Sequence, residues 1–150
     1  MSNLLLFLLA TASAAAMDKD AFKATQDSIG EAYRSDQAQC ASLKGNARDV
    51  CEAEAKAKRK IEKAEAEAEY KNTAKARTMA IVARADAEYS VARKQCDVMS
   101  GTEKTVCVTK AKAARVRAKA DARANQEVIR KRNADSEIAL ERQRLEAQGR

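Results

Sequence analysis

The side chains with the richest chemistry in this sequence are four cysteines, arranged as two pairs with equal spacing. Cys40 and Cys51 close a first block, and Cys96 and Cys107 close a second block fifty-six residues later. Thiols can form disulfides, ligate zinc or carry out redox exchange. Zinc sites usually hold cysteines about two to four residues apart, and the redox motif Cys-x-x-Cys does not occur here. The spacing therefore favours two disulfides, with a zinc site as the weaker alternative.

A disulfide within each block requires the chain to bend. In a continuous helix the two cysteines of a block would lie about 16 Å apart at 1.5 Å per residue, whereas a disulfide needs a Cα separation of about 4.4–6.8 Å. Gly45 and Gly101 supply the bend, since glycine readily takes the left-handed conformation that ends a helix. Asn46 and Thr102 are predicted to cap the helices that follow. Of the three arithmetically possible pairings, we favour the one within each block.

Catalytic chemistry finds little support in the sequence. Histidine is absent, which removes the commonest general base and metal ligand. There is no glycine-rich phosphate loop and no Gly-x-Ser-x-Gly motif. Tyr70 and Tyr89 each follow a glutamate, but aromatic residues on a helical face usually serve packing. We predict no enzyme activity, no catalytic residue, no metal site and no cofactor.

The composition favours long helices. Of the 150 residues 34% are charged and 3% aromatic, proline and tryptophan are absent, and alanine is the dominant apolar residue. Such a chain is typical of coiled coils and extended helices. Disorder is the competing interpretation, because high charge and few large apolar residues also mark unfolded chains. The strong helix propensity of the residues and the lack of proline favour an all-α, elongated protein.

The duplication predicts an up-down-up array of three antiparallel helices with two disulfide-closed turns. The helices are expected at about 18–44, 47–99 and 103–147. The second is predicted to run unbroken, because no glycine or proline lies between the two turns. The offset of fifty-six residues equals eight heptads, so both turns are expected to have the same coiled-coil phase.

Apolar residues at coiled-coil spacing predict which side of each helix is packed. In the second predicted helix the packed residues are Val50, Ala57, Ile61, Ala64, Ala68, Thr78, Val82, Ala85, Tyr89, Ala92, Cys96 and Met99. In the third they are Val106, Ala113, Ala120, Ala124, Ala134, Ile138 and Leu145, with charged residues at the remaining positions, Lys110, Arg117, Glu127, Lys131 and Glu141. Alanine offers little apolar area, which suggests help from the disulfides and from a homo-oligomer.

The first sixteen residues are typical of a secretory signal peptide. An apolar run at residues 4–10 is followed by the small residues 12–16, which suits cleavage after Ala14 or Ala16. No lysine or arginine precedes the apolar run, so this signal is atypical. We expect residues 17–150 to form the mature helical domain and, with two disulfides, to be periplasmic or secreted.

Basic residues are concentrated on the third predicted helix. The candidates for binding an anion are Lys110, Lys112, Arg115, Arg117, Lys119, Arg123, Arg130, Lys131 and Arg132. Such a stripe attracts acidic proteins, other acidic envelope components or anionic lipid surfaces. Nucleic acid is not expected, since no aromatic platform for bases is present. The alternative is that these side chains only solvate an alanine-rich helix.

The first block resembles an element of uncharacterised exported proteins of Gram-negative bacteria that are rich in Ala, Lys and Glu. Their repeated motif is Cys-x-x-Leu-x-Gly-Asn-x-(Lys/Arg)-Asp-x-Cys, and the first block matches it closely. The second block departs from it at Met99, Thr102 and Thr105. The helices are also similar in composition to the spacer of the TolA envelope protein. The resemblance covers most of the mature chain, but it brings no catalytic residues.

These features predict an exported cell-envelope protein with a structural or interaction role, in which a rigid rod presents its basic helix to an acidic partner. One alternative is a periplasmic holdase-type chaperone, whose clients would contact exposed apolar side chains such as Met79, Ile81, Val82 and Ile129. The other is a binder of anionic lipid or lipopolysaccharide.

Overall fold

The computed structural model describes residues 17–149, and this part of the chain is all-α, as the sequence predicts. The helices are α1 (Lys19–Cys40), α2 (Gly45–Lys71), α3 (Ala74–Cys96) and α4 (Gly101–Gln148). The predicted signal peptide, residues 1–16, lies outside the described residues. Each helix packs against its neighbours in sequence, α1 on α2, α2 on α3 and α3 on α4. The four helices therefore form an open antiparallel layer with α1 and α4 at its edges.

Two inner helices packed on both sides explain the abundance of alanine. In α2 the residues Ala53, Ala55 and Ala57 are all buried, and α3 repeats the pattern at Ala85 and Ala87. Residues two apart on a helix point in nearly opposite directions, so each inner helix has a packed surface on either side. Small side chains on both surfaces let the helix axes approach closely.

Both disulfide-closed turns are confirmed. The cysteines of the first block are bonded with a Cα separation of 5.5 Å, and those of the second block with 5.8 Å. The first-named cysteine of each block, Cys40 and Cys96, ends its helix and is 1% exposed. Each bond therefore fixes the end of one helix to the first turns of the next.

Gly45 and Gly101 have the predicted positive φ angles, 58° and 52°. The predicted caps are wrong. The capping positions are Lys44 and Ser100, and neither forms a side-chain capping hydrogen bond. Each helix begins at the glycine, so Asn46 and Thr102 lie inside the first turn and not at the capping position before it. The amide of Asn46 instead donates a hydrogen bond to the carbonyl oxygen of Lys94 in α3, at 3.1 Å.

The second predicted helix is two helices, so the array has four helices and not three. Asn72 has the left-handed conformation (φ 47°, ψ 37°) and donates its N–H to the carbonyl of Ala68. The hydroxyl of Thr73 then accepts from the N–H of Ala76 at 3.1 Å, which caps α3. Asparagine tolerates the left-handed region better than most residues, and threonine is a good helix N-cap. The reversal needs neither glycine nor proline.

The duplicated unit is a hairpin of two helices, α1 with α2 and α3 with α4. A cation–π contact recurs in both copies. The guanidinium of Arg59 lies 4.7 Å from the ring centre of Tyr33, and that of Arg115 lies 5.1 Å from Tyr89. Both pairs are related by the fifty-six-residue offset. The copies differ after residue 127, where α4 continues through Val128, the equivalent of the turn residue Asn72.

Candidate interaction surface on the last helix

The first half of α4 packs on α3, and the second half extends beyond it. Cys107 is bonded to the last residue of α3, and Ala111 and Ala118 line a narrow cleft with alanines of that helix. Ala122, at 2% exposed, is the last buried residue of α4. Since α3 begins at residue 74 and runs antiparallel, it reaches only to about residue 129 of α4. Residues 130–148, which we call the arm, are all exposed and extend roughly 28 Å.

The side of α4 that packs is not the one predicted. The side facing α3 contains Cys107, Ala111, Arg115, Ala118 and Ala122. The predicted packing positions are all exposed, namely Val106, Ala113, Ala120, Ala124, Ala134, Ile138 and Leu145. In the first copy the equivalent side of α2 is covered by α3, as at Ala68. The described chain has no fifth helix to cover the corresponding side of α4.

The second predicted helix shows why the assignment failed. Its predicted packed residues in α2, such as Ala64 and Ala68, contact α3. Those in α3, such as Ala85 and Ala92, line the cleft toward α4. The other side of α3, including Ala80, was not predicted and packs on α2. A single packed surface per helix was assumed, whereas the inner helices have two.

Two of the nine candidate anion-binding residues are used to join α3 to α4. The Nε of Arg115 donates to the Oδ1 of Asp86 at 2.5 Å, and the Nζ of Lys119 donates to both oxygens of Asp86, at 3.1 and 3.3 Å. Burial alone would raise the pKa of this carboxyl, but the hydrogen bonds and positive charges of the two partners outweigh burial and lower its pKa. Asp86 is therefore an ionised anchor for both cations.

The other candidates are exposed. Arg130 is ion-paired with Glu127 at 2.6 Å in the same helix. Within residues 17–149 no ion pair involves Lys110, Lys112, Arg117, Arg123, Lys131 or Arg132. Three of the exposed basic residues, which we call the basic stripe, lie on one side of α4 because they are spaced eleven and seven residues apart: Lys112, Arg123 and Arg130. The stripe starts beside α3 and ends at the base of the arm.

A second exposed feature is apolar and extends from the base of the arm along it; sequence reasoning named Ile129 but missed Leu140. Ile129 and Leu140 continue the side of α4 that faces α3, since Ile129 follows Ala122 after seven residues and Leu140 follows Ile129 after eleven. Beyond the end of α3 this side has no neighbour, and both residues are exposed. Two series of apolar residues run along α4 at helical spacing, one starting at Val106 and one at Cys107. Following the series from Cys107 would have predicted the apolar side that includes Ile129 and Leu140.

Residues 17–149 contain no group of three or more histidine, cysteine or acidic side chains arranged to hold a metal ion. None of the helices in this part of the chain combines the length and apolar character needed to cross a bilayer. The two disulfides fit a non-reducing environment.

Comparison of the chain with models of protein families, with curated proteins and with solved structures finds no match. The resemblance of the first block to exported Ala/Lys/Glu-rich proteins therefore stays a prediction. The arrangement of residues on α4 has to carry the functional argument.

The Asp86 anchor predicts a specific pH dependence of stability. A carboxyl whose pKa is lowered by folding stabilises the native state above its ordinary pKa of 3.8, and this contribution is lost as the pH falls through the lower native pKa. We expect Asp86→Asn to lower the free energy of unfolding by about 1 kcal/mol at pH 7 and by less at pH 3.

Urea unfolding followed by circular dichroism at both pH values measures this difference. Asp121→Asn is the matched control, because Asp121 is exposed on α4 and forms no ion pair in the described chain. An equal loss at both pH values for Asp86→Asn would show that the carboxylate charge is not what joins the helices.

Proposed function

We propose that this protein is a non-catalytic interaction protein of the cell envelope, periplasmic or secreted, that presents the basic stripe of α4 to an acidic partner. The observation that carries the proposal is the basic stripe, which runs along an exposed side of α4 from the part beside α3 to the base of the arm. The body supplies rigidity, because one disulfide and the ion-paired Asp86 join α4 to α3 and fix its direction. The predicted signal peptide supports export.

Long-range attraction favours this function over a solvated helix face. The chain has a formal net charge of +7, and the stripe residues Lys112, Arg123 and Arg130 present charge on one side of α4. Aligned like charges raise the local potential and speed the encounter with a polyanion. The partner is expected to be an acidic polypeptide, because the stripe is linear and repeats at helical spacing.

Binding of polyglutamate, used as the acidic probe, tests the proposal. Lys112→Glu, Arg123→Glu and Arg130→Glu together should weaken binding by about tenfold, if each contact contributes roughly 0.5 kcal/mol. The control is Lys23→Glu, Lys60→Glu and Lys75→Glu, three exposed residues on α1, α2 and α3 that change the net charge equally.

Isothermal titration calorimetry at low and at physiological salt gives the affinity and its salt dependence. Equal weakening by both triple variants would mean that net charge, and not the stripe, attracts the probe, and would refute the proposal. Vesicles containing phosphatidylglycerol serve as the second probe. Preference for the vesicles over polyglutamate would identify an anionic lipid binder instead.

A holdase-type chaperone is the second candidate, and the exposed apolar residues of α4 beyond residue 127 favour it. Ile129 and Leu140 lie on one side of the helix, and Val128 is next to them. Apolar side chains exposed beside positive charge suit the binding of unfolded, acidic clients. Suppression of client aggregation by the purified protein, and its loss in Ile129→Ser with Leu140→Ser, would support the holdase over the binder of one acidic partner.

A further inference from the structure

The exposed side of α4 opposite to α3 has an uninterrupted coiled-coil pattern. Its residues alternate at intervals of four and three over six heptads, and we call them the outer seam: Val106, Lys110, Ala113, Arg117, Ala120, Ala124, Glu127, Lys131, Ala134, Ile138, Glu141 and Leu145. Every one is exposed. Regular spacing of this kind over about 60 Å is typical of a helix that packs against another helix in a coiled coil. Within the described residues no helix packs on this side of α4.

We propose that the outer seam binds the outer seam of a second copy of this chain, with the two α4 helices antiparallel. The pairing is two-fold symmetric about residue 129. The arm of each copy then lies along the half of the other α4 that packs on α3. This arrangement accounts for the length of α4, because each arm covers the outer seam that has no neighbour within its own copy.

Complementary side chains in successive layers support this pairing. Leu145 of one copy meets Ala113 of the other, and Ile138 meets Ala120, so a large side chain faces a small one in each layer. Ala134 meets an alanine as well, Ala124, which lets the helices approach closely. These layers of the interface are therefore apolar without overpacking.

The charged positions of the outer seam are also complementary. Arg117 meets Glu141 of the second copy, and Glu127 meets Lys131. The two-fold axis repeats each pair, giving four layers of opposite charge and none of like charge. Charges placed in this way fix the direction and register of a coiled coil.

The outer edge of α1 is the other surface that a second copy could offer. By the fifty-six-residue offset, this side of α1 corresponds to the side of α3 that packs on α2. It has Asp20, Asp27 and Glu31 where α3 has alanines, including the buried Ala76 and Ala87. An acidic outer surface of this kind is typical of the terminal repeat of a repeat protein, where it faces solvent and does not pack on another helix. Docking on it would also leave the apolar residues of the arm uncovered.

Charge exchange across the proposed interface tests the pairing. Arg117→Glu places two glutamates in a layer, and Glu141→Arg places two arginines in the same layer. Either variant should raise the dissociation constant of the dimer by about tenfold or more, and the double variant R117E/E141R should restore it, because the opposite charges are then exchanged. Sedimentation equilibrium of the disulfide-bonded chain measures the constant.

Controls keep the test independent of folding. All exchanged residues are exposed in the single chain. At concentrations well below the dissociation constant, where wild type and variants are both monomeric, their circular dichroism and urea midpoints should therefore be equal. Glu146→Arg makes the same charge change as Glu141→Arg at an exposed position that lies outside the outer seam and the positions flanking it, and should leave dimerisation unchanged. A wild-type chain that is monomeric at about 100 μM, or a double variant that stays as weak as the single ones, overturns the proposal. Association lost in Asp27→Lys but kept in Glu141→Arg would overturn it in favour of docking on α1.

Discussion

Replacing both cysteines of either block by alanine is expected to lower the free energy of unfolding by about 3 kcal/mol. Each bond closes a loop with a sequence separation of 11 residues, and constraining a loop of this length in the unfolded chain stabilises the native state by about that amount. Alanine is the suitable replacement, because Cys40 and Cys96 are almost fully buried and serine would bury a hydroxyl group.

The loss is large relative to what the core provides. The described core consists mainly of alanines, with Ile29 as its largest apolar side chain. Natural domains are stable by only about 5–15 kcal/mol, and a core with so little apolar area is expected near the lower limit. Removing both disulfides should therefore leave most of the chain unfolded at room temperature.

Urea unfolding of the two cysteine-pair variants, followed by circular dichroism at 222 nm, measures the effect. Wild-type protein reduced with dithiothreitol is the control and should match a variant that lacks all four cysteines. A variant whose free energy of unfolding falls by less than about 1 kcal/mol would show that helix packing, and not the disulfide, holds that turn closed.

The sequence predicted the features that depend on single residues with strong local preferences. The equal spacing of the cysteines predicted both disulfides, and the geometric limits on a disulfide located the bends at Gly45 and Gly101. The composition predicted the helices. These inferences succeeded because bond lengths and the left-handed region of backbone space permit few alternatives.

What the sequence did not predict depends on how the helices pack side by side. The apolar pattern of α4 has two sides, one beginning at Cys107 and the other at Val106, and spacing alone does not show which one meets α3. The Asn72–Thr73 turn was missed because only glycine and proline were considered as helix breakers. In the second copy Val128 and Ile129 occupy the equivalent positions, so comparing the copies would have revealed it.

The difference between the copies leads to the last prediction, which concerns the reversal between α2 and α3. Asn72→Val together with Thr73→Ile gives the first copy the residues of the second. We expect the free energy of unfolding to fall by about 3 kcal/mol. A β-branched residue in the left-handed region costs about 1–2 kcal/mol, and loss of a threonine cap costs about 1 kcal/mol. The hydrogen bond from Arg77 to the Asn72 side chain, at 2.8 Å, is lost as well.

Two variants separate the turn from general effects of composition. Asn72→Gly retains the left-handed conformation and should change the stability by less than about 0.5 kcal/mol. Val128→Asn with Ile129→Thr makes the reverse exchange in the continuous helix α4, where both residues are exposed, and should cost less than 1 kcal/mol.

Urea midpoints rank the variants, and small-angle X-ray scattering shows the fate of the hairpin. If the strain of the variant Asn72→Val with Thr73→Ile, which we call the Val–Ile variant, is relieved by continuing the helix, α2 and α3 become one rod of about 78 Å. The radius of gyration should then increase, because the two disulfide-closed turns move to opposite ends of the rod. The maximum dimension should change little, since α4 already spans about 72 Å. If the Val–Ile variant has the same stability and dimensions as the wild type, then the packing of the alanines of α2 against those of α3, and not the turn residues, causes the chain to reverse direction.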